Sequence, residues 1–457
     1  MADAMSVTSR WWILAAMGLI LGVILLDETV LGVALPTIQT DLATSELMSH
    51  WVVNIYLLVL AGVAAAAGKF GDIVGHKILM VVGLAIFGLA SLASGFAESG
   101  AWLVVTRGIQ GLGAAIIFPS SLAMVTLAFP PSQHGMALGI YGAVGTTFLA
   151  LGPFVGGLLT EVASWRWIFW INPPIVVIIA AIVLVRWRDP AGAVSGGRVD
   201  GVGAGLLVGG LSAIVFSIMQ APEWGWTNPA ILALLIAGIV IMVVFTVFEL
   251  RKRAPLIDVE LFANPTFTGC NLAIFAAQYS KMAVFIFTAM YFQDVLGMDP
   301  IHAGLALLPA VAPQVITAPL AGMAADRFGA RWPTLLALAG TVLGFVIFSL
   351  GVDAGSSYIW LFPGVLLWGL TTAFLFVPPQ RAVMGAVPPA KQGQAGGIVM
   401  SAQLLGGTLG MAVCSTLFAT TGGFDAVFWS TAGLNLIILI VGWLTIERSA
   451  PRAPVPA

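Results

Sequence analysis

The run Trp11–Pro36, WWILAAMGLILGVILLDETVLGVALP, decides the fold. A helix needs about 20 apolar residues to cross a hydrocarbon core of about 30 Å, and this run is longer than that. Inside it stand two adjacent acids, Asp27 and Glu28. A carboxylate in hydrocarbon is costly, so an acid there marks a functional site that faces a cavity or a buried partner. The rest of the chain has the same character. Of 457 residues, 60% are hydrophobic and 8% charged, and the mean hydropathy is +1.04. Soluble domains carry about 25% charged residues, so this is an integral membrane protein with little mass outside the bilayer. A net charge of −2 speaks against nucleic acid as a partner and leaves the lipid bilayer as the surroundings. Cys270 and Cys414 both lie in apolar segments and carry no redox information. The first apolar run is too long for a signal-peptide core, so it is expected to stay in the mature chain.

Reading onward with the same ruler predicts fourteen spans, at 12–36, 48–68, 77–97, 102–127, 135–160, 167–187, 201–220, 229–250, 266–293, 303–325, 333–351, 358–380, 393–416 and 425–446. The expected fold class is an all-α integral membrane protein. The basic residues then predict its orientation. Fifteen fall on one side: Arg10, Lys69, Lys77, Arg186, Arg188, Arg198, Arg251, Lys252, Arg253, Arg327, Arg331, Arg381, Lys391, Arg448 and Arg452. Arg166 alone falls on the other. Positive loops stay inside, so both termini are expected in the cytoplasm. Arg107 and Lys281 remain, both within spans.

The chain also repeats. Gly68-x-x-x-Asp72-x-x-Gly75-x-Lys77 returns 254 residues later as Gly322-x-x-x-Asp326-x-x-Gly329-x-Arg331. Pro130-Pro131-x-x-x-Gly135 returns 258 residues later as Pro388-Pro389-x-x-x-Gly393. Spans 1–6 therefore correspond to spans 9–14, a pattern common in transporters. The expected division is a six-helix bundle at 1–190, two inserted helices with their linkers at 191–264, and a second bundle at 265–457.

Four motifs resemble those of the major facilitator superfamily, and among its members the fourteen-span drug:proton antiporters. Leu26–Pro36 (LDETVLGVALP) resembles the first-helix motif, and Gly68–Lys77 the loop motif between spans 2 and 3. Arg107–Gly113 (RGIQGLG) resembles the fourth-helix motif, and Gly152-Pro153-Phe154-Val155-Gly156-Gly157 the antiporter motif. Trp165–Asn172 (WRWIFWIN) adds a less specific match. The chain departs from the family at Gly32, where Asn is usual, and at Ile73, where Arg is usual. His76 stands at another usually basic position, and Phe148 replaces a Gly. The resemblance implies two six-helix bundles, alternating access, and export of hydrophobic, often cationic compounds from the bacterial inner (cell) membrane against a proton gradient, without a cofactor and as a monomer. Export of one physiological solute, such as a lipid-like metabolite, a siderophore or an amino acid, is the alternative. A membrane sensor built on a transporter scaffold is a third reading.

Candidate residues follow. Adjacent helical residues point about 100° apart, so one of Asp27 and Glu28 faces the cavity while the other faces a neighbouring helix. An acid tuned between desolvation and a nearby cation loads and releases a proton, and ionised it attracts a cationic substrate. By the resemblance Asp27 is the motif acid and Arg107 its partner in proton transfer, with Gln110 on the same face. Lys281 lies at the matching depth of span 9, on a polar stripe of Asn271, Gln278, Lys281, Phe285 and Thr288. It is expected to approach Asp27 or Glu28, and it also offers a site for an anionic group. Phe118, Tyr141, Phe148, Tyr279, Met282 and Phe285 are the expected aromatic and apolar cavity lining. Gly68, Asp72, Gly75 and Lys77, with Asp326 and Arg327, form an expected latch between bundles. Gly152, Pro153, Gly156 and Gly157 form a small-residue packing surface. No phosphate-binding loop appears, and His50, His76, His134 and His302 have no metal-ligand spacing. No enzyme activity and no metal are expected.

Overall fold

The computed structural model describes residues 6–190, 192–194, 200–252, 255–353 and 357–447, without the side chains of 46, 47, 50, 153, 300, 301 and 353. Arg198, Arg253, Arg448, Arg452 and the side chains of His50 and Pro153 thus lie outside the described residues.

Among the described residues, fourteen helices are long and apolar enough to cross a membrane. They are α1 (Val7–Asp41), α2 (Glu46–Val74), α3 (His76–Gly95), α4 (Gly100–Ala128), α5 (His134–Val162), α6 (Trp167–Arg186) and α7 (Gly201–Trp224). The rest are α8 (Pro229–Leu250), α9 (Pro265–Asp294), α10 (Leu308–Phe328), α11 (Arg331–Asp353), α12 (Tyr358–Gly385), α13 (Gln392–Thr421) and α14 (Phe424–Thr445).

Several starts are set locally. Ser6, Ser45, Ser99, Asn228 and Asn264 accept backbone amides of the first turns of α1, α2, α4, α8 and α9. The tenth span begins later than its hydropathy suggests. A short helix, Pro300–Ala306, precedes α10, and Pro309 in the first turn fixes the new start. In α9, residues Ala283–Thr288 are wound as a π-helix.

In the first bundle α1 packs on α5, while α4 receives α2 and α3. In the second, α9 packs on α12, α13 and α14. The bundles meet chiefly where α2 crosses α13 and where α5 crosses α10. Helix α7 leans on both α2 and α13, and α8 packs on α7 with Ile236, Val240 and Val243 turned outward. The lone basic residue of the opposite face, Arg166, donates to Asp41 at the end of α1 (2.7 Å) and to the Ala97 carbonyl (3.1 Å). Its charge is met inside the protein.

Candidate functional site: a charged cavity between the bundles

Helix α1 carries its two adjacent acids to different places. Asp27 is buried (2% exposed), as is Arg107 of α4 (0%), and the two form an ion pair. The same Arg107 Nη1 donates to Gln110 Oε1 (2.8 Å), and Gln110 Nε2 donates to Asp27 Oδ1 (3.1 Å). Arg107 Nε donates to the Val52 carbonyl (3.1 Å), and its guanidinium lies over the Tyr56 ring at 4.2 Å. A buried carboxylate is stable only with such partners. Gly111 makes the arrangement possible, because a Cβ there would stand 2.6 Å from the Tyr56 carbonyl oxygen of α2.

Glu28 points elsewhere, on the face shared with Leu21 and Leu25, into a cavity between the bundles. Phe118, Tyr141, Gln278, Lys281 and Phe285 line the same cavity, with Trp368, Thr372 and Gln380 of α12 and Gln314 of α10. Tyr141 is fixed by a 2.7 Å hydrogen bond with Ser121 Oγ. The cavity encloses about 100 Å³, against about 300–1,000 Å³ for small-molecule sites. A drug-sized ligand therefore requires a wider arrangement than this one.

The other residues expected at the cavity lie off its wall. Asp27 and Gln110 are held in the cluster with Arg107. Phe148 covers Gly22 of α1, where a Cβ would stand 2.7 Å from its ring. Tyr279 is buried against Gly410, with Cys414 Sγ at 3.9 Å from its hydroxyl, and Met282 lies near Gly407. Thr288 is buried and its hydroxyl has no partner among the described residues. The wider i→i+5 turn of the π segment takes Thr288 out of the α-helical register that Gln278, Lys281 and Phe285 share.

The latch residues act across the bundle interface. Helices α5 and α13 start without a side-chain cap of their own, so their first amides need acceptors from elsewhere. Asp72 at the end of α2 accepts the Gly393 and Gln394 amides of α13 (2.7 and 2.9 Å). Asp326 at the end of α10 accepts the Gly135 and Met136 amides of α5 (2.9 and 3.0 Å). The glycines explain the closeness. A Cβ on Gly68 would overlap the Gly393 carbonyl, and one on Gly322 the Gly135 carbonyl. Each copy of the Gly-x-x-x-Asp motif thus meets the Pro-Pro-x-x-x-Gly motif of the opposite bundle. Arg381, and not the neighbouring Arg327, pairs with Asp326 (2.5 Å). His76 lies beside Asp72 at 3.4 Å. Gly75 turns the chain at φ +104, and Asp189 beyond α6 accepts the His76 amide (3.0 Å). Lys77 Nζ donates to the Leu184 carbonyl (2.8 Å).

In the antiporter motif, Gly152 and Gly156 seat α1 on α5. A Cβ on Gly156 would stand 2.5 Å from the Val30 carbonyl oxygen, and one on Gly152 would overlap Thr29 Oγ1. Thr29 in turn donates to the Leu149 carbonyl (3.1 Å). Gly157 faces Val33 at ordinary contact distance.

Sequence reasoning missed Tyr56, Asp189, Arg381 and the α12 wall. Their signals, a charge just past a span and polar residues in an apolar one, name no partner.

The sequence and fold have known counterparts. The puromycin resistance protein pur8 of Streptomyces alboniger is 32% identical, over 97% of this chain and 93% of its own length. The cephamycin export protein CmcT of Amycolatopsis lactamdurans is 34% identical, over 95% of this chain and 90% of its own. A solved structure of the proton:xylose symporter XylE superposes with a TM-score of 0.70 at 14% identity, covering 96% of each chain, which is a likeness of fold. Residues 17–256 and 270–457 match the Major Facilitator Superfamily. On that match, which takes in both bundles, the chain belongs to the Major Facilitator Superfamily.

Proposed function

We propose that this protein is a proton-coupled exporter of small hydrophobic compounds, many of them cationic, working by alternating access in the bacterial cell membrane. The observation that carries the proposal is Glu28, a carboxylate on the wall of a cavity between two latched bundles. Ionised, it attracts a cation; protonated, it does not. Proton and substrate therefore exclude one another at one group, which is the condition for exchange. The relatives named for puromycin resistance and cephamycin export support drugs as the cargo.

The supporting parts have distinct roles in this reading. Arg107 never gives up its proton, so it orients Asp27 and holds its charge beside Glu28. The basic face lies in the cytoplasm, following the excess of Lys and Arg. With Asp72 and Asp326 on their helix starts, that face is closed. Opening toward the cytoplasm breaks both latches while α1 and α5 move as one unit on their glycines. The proton gradient is the energy source, no cofactor or metal takes part, no covalent chemistry is catalysed, and the working unit is a monomer.

The test is uptake of ethidium into proteoliposomes under an imposed pH gradient. Uptake is expected to collapse with the gradient and to vanish in Glu28→Gln and Asp27→Asn. Transport indifferent to the gradient refutes the proposal.

A further inference from the structure

Among its described lining residues the cavity holds one acid and one base, Glu28 and Lys281; its other polar groups, such as Gln278, Gln314, Gln380 and Thr372, are neutral. Glu28 comes from α1 and Lys281 from α9, the corresponding helix of the second repeat. Each bundle thus contributes one charge. Neither side chain makes a hydrogen bond or ion pair among the described residues, whereas Asp27 next door has both. The two face the same cavity without forming an ion pair.

Lys281 is held in this position. Glycines of α13 receive α9 at its level: a Cβ on Gly406 would overlap the Phe275 carbonyl, and one on Gly410 would stand 2.9 Å from Tyr279 Cα. The π segment begins two residues later, and such irregular backbone at membrane depth is tolerated where it lines a cavity. The same wall carries the aromatic rings of Phe118, Tyr141, Phe285 and Trp368.

We infer that the cavity selects amphiphilic zwitterions, compounds with an apolar or aromatic body, a cationic group for Glu28 and a carboxylate or similar anion for Lys281. This rests on the exporter reading and narrows its cargo. A zwitterion satisfies both groups at once and ties α1 to α9 across the bundle interface. A plain cation meets Glu28 but leaves Lys281 as an unmatched like charge in the same low-dielectric space, where charge interactions are strong. A plain anion leaves Glu28 in the same position.

Rhodamine 110 and rhodamine 123 test this as a matched pair. They share one cationic fluorophore; the first carries a free carboxylate and the second its methyl ester. Binding is read by fluorescence anisotropy on the purified full-length protein at pH 7.5, so neither coupling nor transport enters. Wild type is expected to bind rhodamine 110 about tenfold or more tightly than rhodamine 123, the worth of a charge-assisted contact. Lys281→Gln should erase the preference, weakening rhodamine 110 and relieving rhodamine 123 of the like charge, and Lys281→Arg should keep it. Equal or tighter wild-type binding of rhodamine 123 overturns the inference while leaving ethidium export intact, and needs no variant to be read. Loss of both dyes alike in Lys281→Gln, with Lys281→Arg equally impaired, also overturns it. Wild-type protein that binds neither dye also overturns the inference, while the exporter reading stands or falls on ethidium uptake.

Discussion

Replacing Asp72 by Asn leaves the shape of the α2–α13 latch and removes its charge. The carboxylate now accepts two amides, from Gly393 and Gln394, at 2.7 and 2.9 Å. A carboxamide offers one oxygen, so one amide of α13 would face an NH2 group. The lost charge-assisted hydrogen bond is worth about 1.5–3 kcal/mol, and the lost attraction of a negative charge for a helix start about 0.3–1 kcal/mol. Together they make about 2–4 kcal/mol, or about 30- to 1,000-fold in the opening equilibrium. Hydrogen–deuterium exchange of the protein in lipid nanodiscs reads this directly. The peptide spanning 388–400 should exchange faster by that factor, because its first amides exchange only when the latch opens. If the bundles rock as rigid bodies, the Gly135 and Met136 amides held by Asp326 should speed up too, although no atom near them has changed. Unchanged exchange at 393–394 would refute the claim that the Asp72 carboxylate keeps this face closed.

The two adjacent acids of α1 should respond differently. Asp27→Ala leaves the Arg107 guanidinium buried without its carboxylate and should cost about 3–5 kcal/mol, seen as a lower Tm by differential scanning fluorimetry. Glu28→Gln, which breaks no contact of the fold, should melt like wild type. Gly75→Ala places a Cβ at φ +104 and 2.9 Å from Asp189 Oδ2; it should cost about 1–3 kcal/mol, and a Tm equal to wild type would contradict the strained turn. At the start of α7, burial pushes the Asp200 carboxyl up, but hydrogen bonds from Lys252 and the Gly203 amide outweigh it and hold the group below its ordinary value. A lowered acid stabilises the fold above its unfolded pKa of about 3.9 and loses that contribution as pH falls through the folded value. Exchange protection of the Gly203 amide should therefore persist from neutral pH to about pH 4 and fade only below it, with Asp200→Asn abolishing the pH dependence.

The fourteen spans were legible because hydrocarbon demands length and apolarity, and both can be counted. The repeat was legible in the same way, as two motifs recurring at nearly one interval. What those motifs do was not. Asp72 and Asp326 bind backbone amides, which every residue but proline has, so no side-chain signal pointed from Gly68-x-x-x-Asp72 to Pro388-Pro389-x-x-x-Gly393. Which acid faces the cavity was also hidden. Asp27 and Glu28 differ by one helical step, and α1 is apolar on all sides, so nothing in its pattern fixes its rotation. That rotation comes from Gly152 and Gly156 of α5, which seat one face of α1, and from Arg107, which binds the acid on another. The polar stripe of α9 was legible as far as Phe285. The π segment that begins at Ala283 depends on tertiary packing and leaves no trace in residue spacing.

The reciprocal latches have a consequence for ancestry and assembly. An acid of the first half grips a helix of the second, and the equivalent acid of the second grips the equivalent helix of the first. Contacts exchanged in this way are the signature of a two-fold symmetric pair of identical subunits. A single six-helix ancestor would have carried both parts of the clasp on one chain and would have acquired two clasps on pairing with a copy of itself. Helices α7 and α8 lie between the two halves in the chain and stand outside this symmetry. On this view the clasp is older than the one-chain transporter, and Arg381 on one side with His76 on the other mark how far the copies have since diverged.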